Sequence, residues 1–284
     1  LFFLIKEKPN LLISAGGFVS VPLHWAAFIL GIPTWIHQQD VVPGMSNRLM
    51  ASASTKITTA LKESLKNFDK SKTEWIGNPI RELKSPNKEE SYKKFNLDKE
   101  KPVILAFGGG TGSTRINNLI VQMLPHIPAD WQVIHLTGKE RDSSYAQGAL
   151  NTHRNYQVYE FLNKEMAHAY TVADIVIGRG GFVTITELAY LKKPAVLLPM
   201  PDTHQEANVK MLARNKSAII LDQRKVNGID LAHTVKDLMR NEEIRNYLGN
   251  RLNEMLPPAE DDKIIDIIEQ TAEEAMTDNK FHVL

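Results

Sequence analysis

The chain has no cysteine in 284 residues, which excludes disulfides and cysteine-ligated zinc. It has no excess charge of one sign, since 34 Lys and Arg stand against 33 Asp and Glu. That balance supplies no global electrostatic footprint for nucleic acid, and no nucleic-acid partner is expected. No apolar run approaches the ~18 residues of a spanning helix. Several chemical signatures are missing as well. There is no His-Glu-x-x-His or comparable metal spacing, no Asp-x-Asp pair for a metal–nucleotide diphosphate, and no Walker lysine. A Gly-x-Ser-x-Gly elbow is also absent. Neither a metal nor a cofactor is expected. The chain opens Leu1-Phe2-Phe3-Leu4-Ile5-Lys6, without an initiator Met or a signal-peptide layout.

What is present reads as an ordinary globular α/β protein. Hydrophobic residues make up 43% and charged residues 24%. The length predicts roughly two domains. Short apolar strands alternate with helices. Strands are expected at Asn10 to Ser14, Thr34 to Ile36, Lys56 to Thr59 and Glu74 to Ile76. They are expected again at Val103 to Phe107, Gln132 to Leu136, Tyr156 to Tyr159, Asp174 to Ile177, Ala195 to Leu198 and Ala218 to Leu221. Such alternation argues for parallel sheets covered on both faces, in two Rossmann-like units. The polar, Lys-, Glu- and Pro-rich segment from Asn78 to Glu100 marks the boundary between them. The apolar helix from Pro22 to Leu30, with Trp25, Phe28, Ile29 and Leu30, reads as core; the alternative is a patch resting on a membrane surface. A last helix, Pro258 to about Met276, places Ile264, Ile265, Ile268, Thr271, Ala272 and Ala275 on one side.

Two glycine-rich loops carry the strongest chemical signal. Phe107-Gly108-Gly109-Gly110-Thr111-Gly112-Ser113 follows a strand and opens a helix. Free amides at the helix start, Gly110 to Gly112, suit a diphosphate; the alternative is a tight turn with no ligand. Gly178-Arg179-Gly180-Gly181-Phe182-Val183-Thr184-Ile185-Thr186-Glu187 also follows an apolar strand. Thr184 and Glu187 have the spacing of a capping box. In the functional alternative the helix start holds an anion and Glu187 accepts sugar hydroxyls, as carboxylates do in nucleotide sites. Asp202-Thr203-His204-Gln205-Glu206-Ala207-Asn208 and His37-Gln38-Gln39-Asp40 each follow a strand, where α/β folds bind ligands. For the first of these, the bland alternative is a solvated, capped surface helix.

Taken in order, these motifs resemble the MurG family of N-acetylglucosaminyltransferases, from about Lys8 to about Leu221. The resemblance rests on Gly16-Gly17-Phe18-Val19-Ser20, Leu30 to Pro33, His37 to Asp40 and Pro43-Gly44-Met45-Ser46-Asn47-Arg48. It continues through Gly77 to Arg81, Gly108 to Gly112, His135 to Lys139, the Arg179 to Glu187 loop, and His204-Gln205 with Asn208. It implies a GT-B architecture, two Rossmann-like domains with parallel sheets and a cleft between them, the first domain incomplete. Residues 1–80 then form the remainder of an acceptor-side domain and 81–256 a donor-binding domain. Residues 257–284 form a helix returning toward the first domain. Leu162, with Phe161 beside it, falls where uracil is held. Phe182, Val183, Thr184, Ile185, Thr186 and Glu187 fall on the loop that wraps the nucleotide, with Glu187 on the ribose. Gly110, Thr111, Gly112 and Arg81 fall on the diphosphate. Gln205 falls where the GlcNAc hydroxyls are read, with His204 and Asn208 as neighbours, and Asp40 near the cleft. Phe18 stands where the family usually has Tyr, and His37-Gln38-Gln39-Asp40 where it usually has His-Glu-Gln-Asn.

The implied reaction is inverting transfer of GlcNAc from UDP-GlcNAc to the MurNAc C4 hydroxyl of lipid I, giving lipid II. Its implied partners are UDP-GlcNAc, the lipid-linked MurNAc-pentapeptide acceptor and the cytoplasmic face of the bacterial membrane, with the protein peripheral there. One alternative is a non-catalytic UDP-GlcNAc-binding half of a split GT-B enzyme. Another is a GT-B transferase using a different lipid acceptor, such as diacylglycerol. The family's Gly-Thr-Gly-Gly-His loop, which supplies the favoured general base, is expected about eighty residues before Gly16 and has no counterpart here. His37 is a surrogate candidate for the base, and the favoured alternative is that it orders the cleft. Loss of a general base costs about 10²–10⁴-fold, so the chain alone is expected to be inactive or nearly so. A lipid II synthesis assay checks this, and detectable product refutes it.

Overall fold

The computed structural model describes residues 1–80, 86–139, 146 and 148–278, without the side chains of 151 and 274–278. The chain divides into two compact units, Leu1–Ile80 with Leu256–Leu284, and Arg81–Met255.

The first unit is built on four parallel strands, β1 (Leu12–Ser14), β2 (Thr34–Gln38), β3 (Lys56–Thr59) and β4 (Thr73–Trp75), in the order β1-β2-β3-β4. Helices α1 (Phe2–Glu7), α2 (Ser20–Ile29) and α3 (Met45–Ala51) lie between or before them. All five residues of β2 are buried, as a parallel strand covered on both faces requires. Successive side chains of β2 point to opposite faces, and each face has its own cluster. Ile36 packs with Met50 and Ile57, while Trp35 packs with Ile76, Ala259 and Ile267. The last two come from the tail, whose helix α11 (Asp261–Asp278) belongs to this unit.

The tail is tied on by backbone. Ala259 N–H donates to the Asn78 carbonyl at 3.0 Å, in a parallel bridge between Asn78 and Pro258. Gly77 has φ +82°, and a side chain there would sit 2.6 Å from the Pro257 carbonyl oxygen, so only glycine fits. Lys263 bridges to Glu74 at 2.8 Å. That pair is half-exposed and contributes at most about 1 kcal/mol.

The second unit has six parallel strands in the order β10-β9-β8-β5-β6-β7. They are β5 (Val103–Phe107), β6 (Gln132–Leu136), β7 (Tyr156–Tyr159), β8 (Ile175–Gly178), β9 (Ala195–Leu197) and β10 (Ile219–Ile220). Its helices are α4 (Lys88–Lys94), α5 (Thr114–Met123), α6 (Met166–Val172), α7 (Phe182–Tyr190), α8 (His204–Arg214), α9 (Gly228–Arg240) and α10 (Glu242–Met255). From β5 the chain winds outward one way through β6 and β7, then returns beside β5 and winds the other way. The switch point lies between β5 and β8, where Ala106 pairs with Ile177.

Several expectations are corrected. His37 and Gln38 belong to strand β2, not to the loop after it. Residues Trp25, Phe28 and Ile29 are exposed at 40%, 56% and 73%, not core. Helix α2 is apolar all round, so its pattern could not say which side faces the sheet; the buried side is His24 and Ala27. On α11 the buried residues are Ile267 and Thr271, with Ile264 packed beside them, whereas Ile265 and Ile268 are exposed. The Ile264-Ile265-Asp266-Ile267-Ile268 run offers two offset stripes, and contact with Trp35 and Ile76 selects one. The polar segment after Asn78 contains helix α4, capped by Asn87 and anchored by buried Tyr92 and Phe95.

Each unit buries one imidazole in its sheet. In the second, Tyr156 O–H donates to His135 Nδ1 at 2.6 Å, and His135 Nε2–H donates to Asn117 Oδ1 at 3.1 Å. Burial holds this imidazole down at about 4. Its folded pKa lies below the unfolded value of 6.5, so the unfolded chain takes up the proton first. The stabilisation is complete above pH 6.5 and is lost as pH falls toward 4. The shift corresponds to about 3 kcal/mol. Urea midpoints measured across that window should fall with acid, and the fall should be shallower in His135→Gln.

Candidate functional site

The two glycine-rich loops follow β5 and β8, which are hydrogen-bonded neighbours at the switch point. The fold therefore brings them side by side at the carboxyl ends of the strands, where doubly wound sheets bind ligands. In the first loop Gly109 and Gly112 have φ +88° and +77°. A side chain on Gly112 would collide with the Thr137 carbonyl, and one on Gly138 with the Gly112 backbone. Both glycines are thus required by backbone crossing backbone. Gly110 differs, for it is exposed, has no positive φ and has open space where a side chain would be. Thr111 is exposed beside it. Helix α5 begins only at Thr114, with Ser113 Oγ accepting from Ile116 N–H at 3.4 Å. Gly110 to Gly112 therefore precede the helix instead of forming its first turn, which corrects the expected helix-start amides.

Arg179, in the second loop, donates from Nη2 to Ser113 Oγ at 2.8 Å and so links the two loops. Helix α7 starts at Phe182 behind Gly181, with no side-chain cap. Thr184 lies inside the helix, so the expected capping box does not form. Glu187 is buried instead, and its Oε2 accepts the Tyr170 O–H at 2.8 Å. Tyr170 packs edge-on against Phe107, with ring centres 6.1 Å apart. Phe182, Ile185 and Thr186 are buried, Thr186 Oγ1 donating to the Phe182 carbonyl at 2.8 Å. Val183 is exposed and Thr184 half-buried.

The remaining loops come from the same edge of the sheet. After β7, Phe161 is partly exposed beneath Lys139 Nζ, 4.5 Å from its ring centre, and Leu162 is buried. After β9, Thr203 Oγ1 caps α8 by accepting from Gln205 N–H, and Gln205 Oε1 accepts from Met200 N–H at 3.0 Å. His204 is exposed. Asn208 is fully buried, its Nδ2 donating to the Gly180 carbonyl at 3.3 Å, so it holds the second loop instead of facing solvent. Gly180 lets that loop lie against Val209 and Gln205. Arg81 lies outside the described residues.

In the first unit, the end of β2 is held by a chain of hydrogen bonds. Trp35 Nε1–H donates to Thr58 Oγ1, which bonds His37 Nδ1 at 2.8 Å, and His37 Nε2 meets Asn78 Oδ1 at 3.1 Å. Both ring nitrogens are engaged, and burial lowers the His37 pKa. Gln38 bridges Asn47 and the carbonyl of Asp40, a half-buried residue. Among the described residues no group of three or more His, Asp or Glu side chains is placed to hold a metal ion.

Tyr170, Arg179 and Lys139 were absent from the expected site residues. Tyr170 had no sequence signal, because its partner Glu187 is on another helix. Arg179 and Lys139 lie inside two of the motifs that carry the family resemblance.

These features define a class, the two-Rossmann-domain proteins of GT-B architecture. The chain matches the Glycosyltransferase family 28 C-terminal domain over residues 103–254 and its N-terminal domain over residues 1–59. It is 33% identical over 243 residues to the UDP-N-acetylglucosamine--N-acetylmuramyl-(pentapeptide) pyrophosphoryl-undecaprenol N-acetylglucosamine transferase of Geobacillus kaustophilus, covering 84% of this chain and 67% of that one. To the protein of the same name from Staphylococcus epidermidis it is 38% identical, covering 69% of this chain and 54% of that one. The crystal structure of Acinetobacter baumannii MurG superposes with a TM-score of 0.77 at 26% identity, covering 95% of this chain and 76% of that one. The chain belongs to the MurG family of glycosyltransferases.

The two kinds of glycine can be told apart. Gly112→Ala should destabilise the chain by at least about 2 kcal/mol, from positive φ plus collision. Gly110→Ala should stay within about 0.5 kcal/mol. Urea denaturation of both variants checks this.

Proposed function

We propose that the chain carries the donor site for GlcNAc transfer from UDP-GlcNAc to the MurNAc C4 hydroxyl of a lipid-linked MurNAc-pentapeptide, giving lipid II. The observation that carries it is the pairing of β5 with β8, which sets two glycine-rich loops and Glu187 at one switch point in a MurG-family fold. Leu162 and Phe161 hold the uracil, and Glu187 takes the ribose hydroxyls. The backbone at Gly110 and Thr111 faces the diphosphate and, with the positive charge that Arg81 contributes, offsets the charge that develops on leaving UDP. Gln205 and His204 read the sugar. Phe182, Ile185, Thr186, Gly112 and Asn208 act behind these, by holding the loops in place. Val183, exposed in the first turn of α7, and half-buried Thr184 beside it lie against the nucleotide. His37 orders the end of β2 beside Asp40 and does not serve as base, because its ring nitrogens are both engaged.

The protein works on the cytoplasmic face of the membrane, held peripherally. No helix among the described residues is long and apolar enough to cross a membrane. The exposed Trp25 and Phe28, edge-on at 5.9 Å, with Ile29 beside them, form the lipid contact.

Glu187→Ala should weaken UDP-GlcNAc binding at least about tenfold, since hydrogen bonds to a charged group contribute about 1.5–3 kcal/mol. Calorimetric titration measures it, and unchanged affinity sinks the assignment. On phosphatidylglycerol vesicles Phe28→Ser should reduce the bound fraction in a flotation assay; equal binding removes α2 from the lipid contact.

A further inference from the structure

We infer that Tyr170 is a positioning residue that sets the carboxylate of Glu187 for the ribose diol; the inference rests on the proposed donor site. Tyr170 is 1% exposed, so its hydroxyl is taken from water and needs a partner. That partner is Glu187 Oε2 at 2.8 Å, an O–H donor on a carboxylate oxygen. The ring in turn is fixed by Phe107, the last residue of β5, which leads directly into Gly108. One strand thus leads into the diphosphate loop and, through two side chains, anchors one oxygen of the Glu187 carboxylate.

A carboxylate on a free side chain rotates about its last torsion and must be ordered when ligand arrives. Here one oxygen is already bound before ligand arrives, which restricts that rotation and removes part of the ordering cost from the ribose contact. Glu187 sits 17 residues beyond Tyr170 and on a different helix, so the arrangement is made by packing alone.

The test compares UDP with 2′,3′-dideoxyuridine diphosphate by calorimetry, on the 284-residue chain and its Tyr170→Phe and Glu187→Gln variants. Tyr170→Phe keeps the ring and removes one hydroxyl. It should weaken UDP about tenfold and leave the dideoxy ligand unchanged. Equal weakening of both ligands means a merely structural role and overturns the inference. Unchanged UDP affinity in Tyr170→Phe, with a loss in Glu187→Gln, overturns it while the ribose reading stands. If Glu187→Gln keeps the full preference for UDP over the dideoxy ligand, the ribose reading fails and this inference with it. Failure of the unaltered chain to bind UDP overturns both.

Discussion

The pairing of β5 with β8 is the constraint on which the second unit's site depends. Parallel strands laid side by side must send their following loops to the same edge of the sheet. Because β8 returns beside β5 and not beside β7, the loops at Gly108 and Arg179 become neighbours although about seventy residues separate them. Arg179 closes the junction on Ser113, the cap of α5. Phe107 and Tyr170 close it from beneath. Glycines 112 and 138 are consequences of the same crowding, because two backbones pass too closely there for any side chain.

A second theme recurs in both units. Each places a histidine on an interior strand and satisfies it in the same way. A hydroxyl from the adjacent strand approaches Nδ1, and an asparagine amide oxygen meets Nε2. In the first unit Thr58 is the direct cross-strand neighbour of His37. In the second, Tyr156 lies two residues before Val158, the direct neighbour of His135. A neutral imidazole with one donor and one acceptor fits such a slot, and burial of the ring disfavours its protonated form. These hydrogen bonds tie each ring to its neighbours, and His37, legible in the sequence only as a polar residue following a strand, is held within β2 at both ring nitrogens.

The tail shows how a chain end becomes part of a core. Pro257 and Pro258 have no N–H to donate, yet the hydrogen bond from Ala259 to Asn78 and the glycine at 77 let the tail run alongside β4's exit. Ile267 then completes the cluster around Trp35. Burial of such side chains contributes roughly 1.5–3 kcal/mol each, more than the half-exposed Glu74–Lys263 pair.

The sequence by itself determined the alternation of strands and helices, the parallel sheets, the two glycine-rich loops and the family. These are local or ordered signals: apolar runs bounded by glycine, and motifs in a set succession. It did not determine which face of α2 or α11 is buried, because both helices carry apolar residues on more than one side. Nor did it determine that Glu187 bonds Tyr170 instead of closing a capping box with Thr184, or that Asn208 is turned inward onto Gly180. Those outcomes depend on what an element packs against. Spacing along the chain lists the partners a side chain has nearby, and the tertiary structure decides among them by burying some and leaving the others to solvent.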